Sequence, residues 1–247
     1  MEGWTIDINC DVGEGIGNEK SLMPLISSCN IACGGHAGDI KSMIKTVKLA
    51  DSHNVKVGAH PSYPDKTNFG RKVMKISNSE LKQSIIDQLA IFNEILQKED
   101  VELHHIKAHG ALYNQLAKDS VLAKLYLEAV SEHKNQVYLY VPFKSVIAEI
   151  AEENGFRVMY EAFGDRNYND DLSLVSRKLK TALIQEPETV LEHILPIVKQ
   201  KKVITLNGEE IKIKVDTICI HGDTPTALEI LMYLSTELPS YKVQLQK

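Results

Sequence analysis

The sequence predicts an α/β protein, and within that class a (β/α) barrel: seven-stranded, a distorted TIM-like ring, with a β-hairpin inserted before the last strand. Three observations carry this. Short apolar runs rich in β-branched residues alternate with longer stretches of helical period, the pattern of right-handed βαβ units around a parallel sheet. Seven such units fit into 247 residues, which suits a closed barrel better than an open doubly wound sheet, the runner-up. The residues that follow the strands are Gly, Asp, Glu, His and Lys, at the rim where barrels keep their sites.

The strands are expected at 5–10, 30–33, 55–59, 103–108, 137–141, 157–162 and 217–220, each short and bounded by turn residues. The first helix is expected at 40–53, with Asp39 as its N-cap and Ile40, Ile44, Val47 and Leu49 apolar. A stronger one spans 79–97, where Ser79, Leu81, Ile85, Leu89, Phe92 and Leu96 trace one face. Others are expected at 120–133, 144–154 (stopped by Gly155), 189–199 and 226–237. Two alternating runs at 203–215 flank Asn207-Gly208, a strong short-range hairpin pattern. No repeat, low-complexity stretch or linker divides the chain, so one domain over 1–247 is expected.

Hydrophobic residues make up 43% and charged residues 25%, ordinary globular composition with enough apolar matter for a core. The net charge of −5 comes with scattered lysines. The densest run, Lys199-Gln200-Lys201-Lys202, reads as a solvated helix end, so no nucleic-acid partner is expected. The N-terminal stretch has no basic region followed by an apolar one, and no apolar run approaches the roughly 18 residues of a membrane span. The expected compartment is the cytoplasm, with no membrane partner. The four cysteines, Cys10, Cys29, Cys33 and Cys219, form no CxxC pair and read as buried thiols. Asp11 beside Cys10 would make it a poor nucleophile.

The candidate site gathers from the strand ends: Asn9, Asp11 and Glu14 after the first, His36 after the second, His60 after the third, Lys107 and His109 after the fourth. Glu161, Asp165 and Arg166 follow the sixth, and His221 and Asp223 the seventh. Taken singly, each histidine reads as a cap or core residue; four at one rim, beside Gly or Pro, read as a site. Carboxylates, imidazoles and one lysine together suit hydrolysis of an amide or acyl group, one group activating water and another protonating the leaving nitrogen. Lys107 and backbone N–H groups suit an oxyanion. Asp and His also suit a divalent metal, though the spacing specifies none, with neither HExxH nor HxH. Gly13-Glu14-Gly15-Ile16-Gly17-Asn18 lacks the last Gly of GxGxxG and puts Glu14 where a phosphate would sit, and no GxxxxGK[ST] occurs.

The runs NCDVGEGIG, NIACGGHAGD, VGAHPSYPDKTNFGR, HIKAHGALYN, GDRNYNDDLSLVSRK and CIHGDTP, in that order from Asn9 to Pro225, resemble the LamB/YcsF family, the A subunits of bacterial ATP-dependent 5-oxoprolinase. The resemblance implies a barrel related to sugar-processing and deacetylase barrels, and cleavage of 5-oxo-L-proline to L-glutamate coupled to ATP hydrolysis. It also implies partner subunits B and C, by or with which ATP is held. It places Asn9, Asp11, His36, His60, Lys107, His109, Glu161, Asp165, Arg166, His221 and Asp223 around the pocket. In the roles it suggests, Asp11 or His60 is the base, Lys107 and His109 stabilise the oxyanion or a phosphate, and Arg166 forks onto the substrate carboxylate, or else pairs with Asp165 or Asp170. Gly35 stands where the family has an aromatic, Ala108 and Ser176 where it has Pro; Gly35 is expected to loosen the pocket wall. A metal-dependent deacetylase or carbohydrate-amide hydrolase, and a non-catalytic substrate-binding subunit, are the alternatives.

Overall fold

The structure is a computed structural model describing residues 3–246; Met1, Glu2 and Lys247, the ends of the 1–247 span and the start of the N-terminal stretch, lie outside them. The strands are β1 (Trp4–Val12), β2 (Ser28–Ala32), β3 (Lys56–His60), β4 (Leu103–Ile106), β5 (Tyr138–Pro142), β6 (Arg157–Phe163), β7 (Lys202–Ile204), β8 (Glu210–Lys212), β9 (Thr217–Cys219) and β10 (Val243–Leu245). β1 to β6 run in order and in parallel; β9 pairs with both β6 and β1 and closes a seven-stranded ring. β10, which no sequence pattern indicated, pairs with β1 outside the ring. β7 and β8 form the expected hairpin, with Gly208 at φ +86° in its turn. The hairpin reaches the loop after β6: Leu206 N donates to Tyr168 O, and Thr205 Oγ1 to Asp170.

Strand alternation sorts β1 into two faces. Ile6, Ile8, Cys10 and Val12 join the buried hydrophobic layer, while Asp7, Asn9 and Asp11 bond across the barrel interior. Barrel interiors are usually filled by branched apolar side chains. This one is a hydrogen-bonded polar stack. At its lower end Asp7 accepts from Ser28 and Thr217. Above it, Asn9 donates to Thr217 and Glu161, and Asn30 accepts from His105. Gly58 leaves the space the His105 ring fills, since a Cβ there would overlap it.

The helices are α1 (Glu19–Leu22), α2 (Ile40–Ser52), α3 (Asn78–Glu99), α4 (Gly110–Leu116), α5 (Ser120–Ala129), α6 (Val146–Glu153), α7 (Pro187–Gln200) and α8 (Ala227–Glu237). Asp39 caps α2, sharing a capping box with Ser42. Of the apolar positions expected in α2, Val47 is buried and Ile44 and Leu49 pack half-buried against the core; the fully buried residues are Met43, Thr46, Val47 and Ala50. These stand at i, i+3, i+4 and i+7, whereas Ile40 at the first helical position is 57% exposed. α3 buries Leu81, Ile85, Leu89, Phe92 and Leu96 as expected, but it starts after Ser77, whose capping box with Glu80 leaves Ser79 exposed. α1 and α4 are too short to show a period. No helix among the described residues is long and apolar enough to cross a membrane.

Candidate active site

Lys107 is the electrostatic centre of the upper barrel. Its N–H extends the ladder past the end of β4 to Ala59 O, which aims the side chain inward. Nζ lies 2.8 Å from Glu161 Oε1, 3.0 Å from Asp11 Oδ1, 3.2 Å from Cys219 Sγ and 3.3 Å from Asn9 Oδ1. Burial would push the lysine pKa down, but Asp11 and Glu161 outweigh it and hold the ammonium well above its usual range. Burial would likewise raise the Asp11 carboxyl; His60 and Lys107 overcome it and hold Asp11 well below the ordinary carboxylate range. Asn30 Nδ2 donates to both Asn9 Oδ1 and Asp11 Oδ1, fixing the carboxylate's orientation.

Above this floor sits an imidazole corner. His60 Nδ1 is 2.8 Å from Lys107 O, and His109 Nε2 is 2.9 Å from Phe69 O. His60 Nε2 and His109 Nδ1 then face each other at 3.0 Å. His36 stacks on His109 at 3.6 Å between centroids and holds Glu14 Oε1 at 2.8 Å. Burial, with His60 adding, takes His36 down to about 2; burial, with Asp11 adding, lifts Glu14 to about 7.

A cavity of about 680 Å³ opens above. Of the residues proposed from sequence, Asp11, His60, Lys107, His109, Glu161, Arg166 and His221 line it. Asn9 lies beneath, bonded to Glu161 and Thr217, and Glu14 and His36 stand behind His109. Asp165 is turned away, accepting from His221 and Thr224 Oγ1. Asp223 pairs with Arg71. The expected substrate fork from Arg166 is not what its geometry provides. The guanidinium donates to Ala182 O at 3.2 Å and Val175 O at 2.7 Å, so it pins the loop after β6 through main-chain carbonyls. It bonds to neither Asp165 nor Asp170.

Tyr113 was missed. Its hydroxyl and Glu161 Oε2 are both buried, both belong to residues lining the cavity, and neither completes a well-formed hydrogen bond among the described residues. Burial first, and the nearby Glu161 carboxylate second, push the phenol well up, so it stays protonated and able to donate. Tyr113 stands within the HGALYN run, but on a seven-residue helix whose period is too brief to assign it a face. Asn30 was read only as the start of a strand. Gly35 does not loosen the wall as expected: the Gln88 amide and Ser62 hydroxyl occupy the space beside its Cα, Gln88 bonding to the Ser62 backbone on both sides.

The four cysteines are buried and free. Burial first, and Asp11 second, push the Cys10 thiol well up. Cys10→Ala should therefore fold and leave most catalytic turnover intact; a loss of several orders of magnitude in a well-folded variant would mean covalent catalysis by this thiol.

A closed parallel barrel whose C-terminal rim buries carboxylates and imidazoles around one ammonium has the constitution of a barrel enzyme, not of a packed scaffold. The chain belongs to the LamB/YcsF family, whose profile matches residues 6–247. It is 44% identical over 234 residues to the A subunit of 5-oxoprolinase from Pyrococcus abyssi, covering 93% of this chain and 92% of that one. It is 40% identical over 245 residues to the corresponding protein of Campylobacter jejuni subsp. doylei, covering 97% and 96%. The lactam utilization protein from Thermus thermophilus superposes with a TM-score of 0.91 at 34% identity, covering 98% of this chain and 99% of that one. The T48 deacetylase, at a TM-score of 0.51 and 13% identity over 98% of this chain and 87% of that one, shares the fold.

Proposed function

We propose that this chain is the A subunit of an ATP-dependent 5-oxoprolinase, opening the lactam of 5-oxo-L-proline to L-glutamate in the cytoplasm with subunits B and C. The observation that carries the chemistry is the Lys107 ammonium, held charged on the cavity floor by Asp11 and Glu161. Hydrolysis adds water across the C–N bond: the carbonyl becomes the γ-carboxylate and the ring nitrogen becomes the amine. An unstrained amide resists this, because its carbonyl is stabilised by resonance and its amine leaves poorly. Phosphoryl transfer from ATP to the lactam oxygen would convert that oxygen into a leaving group. The chain carries no phosphate loop, which is why ATP is assigned to a site held by or with the partners.

The residues divide the work by position. Asp11 and His60 take the proton from water. Lys107 and Tyr113 Oη face the oxygen on which negative charge develops. Glu161 Oε2, which completes no hydrogen bond among the described residues, accepts the ring N–H. Tyr113→Phe loses at most a weak contact with Glu161, so the melting temperature should stay within a degree or two while glutamate release falls by about tenfold or more.

The deciding experiment is 5-oxoproline-dependent ATP hydrolysis and glutamate release, with this chain alone and with subunits B and C. The chain alone should show little turnover and no tight ATP binding. Submicromolar ATP affinity of the isolated chain would contradict this division of labour. Release by B and C without this chain would make it a binding subunit. Release of acetate from an acetylated sugar would favour the deacetylase reading.

A further inference from the structure

We infer that Asp11, Glu14, His60 and His109 form a binding site for one first-row divalent cation of the zinc, cobalt or manganese kind. The inference concerns binding alone and stands whether or not the chain cleaves a lactam.

The tautomers lead to it. A backbone carbonyl only accepts, so His60 Nδ1 must carry the hydrogen it gives to Lys107 O, and His109 Nε2 the one it gives to Phe69 O. In the neutral rings the opposite nitrogens, His60 Nε2 and His109 Nδ1, are lone pairs, and they face each other at 3.0 Å; an ion would take the place of the proton His60 holds when charged. Asp11 Oδ2 approaches His60 Nε2 at 3.4 Å, and Glu14 Oε1 approaches His109 Nδ1 at 3.4 Å. Four electron-pair donors thus converge with no hydrogen assigned between them. One added proton would bridge the two nitrogens and leave both carboxylate contacts long. One cation engages all four.

The distances suit a metal. One ligand atom from each of these residues lies within 4.8 Å of all the others. Ligands about 2.0–2.2 Å from one ion stand roughly 3 Å apart when cis in an octahedron and roughly 3.4 Å apart in a tetrahedron. Two imidazoles and two carboxylates make a borderline donor set that favours first-row transition ions over magnesium or calcium, which take oxygen.

The surroundings are built for the same purpose. Each imidazole is oriented by a carbonyl on its far nitrogen, the usual support of metal-ligating histidines. His36 stacks on His109 and holds the Glu14 carboxylate. Lys107, which would repel an ion, is turned to Asp11 Oδ1 and Glu161, leaving Asp11 Oδ2 open. Three carboxyl groups, Asp11, Glu14 and Glu161, stand around this corner against the one lysine, Lys107, so carboxylate oxygens outnumber the ammonium a cation would meet.

The test is a titration of the chelator-stripped chain with Zn²⁺ by calorimetry and with Co²⁺ by visible absorption. One ion per chain is expected, at micromolar affinity or tighter, with a melting temperature raised by about 5 °C or more at saturation. The Co²⁺ spectrum should show ligand-field bands from N and O donors and no thiolate charge-transfer band. His60→Gln and His109→Gln should each weaken binding more than about tenfold, and Glu14→Gln by about tenfold. His221→Gln should leave affinity unchanged. That control matters because Asp11, Cys219 and His221 also cluster. A thiolate band, or loss of the ion on His221→Gln with retention on His109→Gln, would move the ion to that cluster and overturn the assignment. No binding by the wild-type chain would overturn it outright, and needs no variant to fold.

Discussion

Asp11→Asn is expected to lower glutamate release by the assembled enzyme by about 10²–10⁴-fold, the usual worth of a positioned base, while the chain still folds. The carboxylate is buried, yet held charged by His60 and Lys107. An amide keeps the shape and can still accept from Asn30 and Lys107, but it cannot take a proton. Stability should fall moderately and not collapse, because Lys107 keeps Glu161 at 2.8 Å as its counter-charge. The paired measurement is the melting temperature of the chain and glutamate release by the complex. Wild-type release from a folded variant would remove Asp11 from the chemistry and shift the base to another group.

What could be read from the sequence was what strand alternation and rim geometry dictate. Asp11, His60, Lys107 and His109 each follow a short apolar run, so their convergence needed only the barrel. Arg166 shows where such reading stops. A guanidinium beside acidic residues suggests an ion pair, but its partners are the carbonyls of Val175 and Ala182, and no side-chain identity encodes a carbonyl's direction. Gly35 shows the same limit in packing: its space is taken by Gln88, distant in sequence, on the α3 face otherwise occupied by Leu81, Ile85 and Leu89. The polar barrel interior was half legible. Asp7, Asn9 and Asp11 alternate openly in β1, but that they bond to Ser28, Thr217 and Asn30 depends on register, which a single strand does not carry.

Lys107→Met should have the largest combined effect. Removing the ammonium leaves Asp11 and Glu161 buried without their shared cation. Breaking a buried pair by deleting one partner costs about 3–5 kcal/mol, or roughly 6–20 °C in melting temperature for a domain of this size. Glutamate release should fall by about 10²–10³-fold as well, the effect of losing one donor to a developing oxyanion. The stability loss has a defined pH window. Because the folded pKa of Lys107 is raised, its contribution is complete below the unfolded value of about 10.4 and is lost only as pH climbs through the folded one. Because that of Asp11 is depressed, its contribution is complete above about 3.9 and is lost as pH falls through the folded value. In Lys107→Met the stranded carboxylates take up protons more readily, so the gap in melting temperature between wild type and variant should be widest toward about pH 9 and narrow as pH falls toward about 5. A second substitution separates fold from chemistry. Lys107→Met combined with Glu161→Gln removes one of the two stranded charges, so much of the melting temperature should return while release stays low. Recovery of release along with stability would mean that Lys107 supports the barrel and takes no part in the reaction.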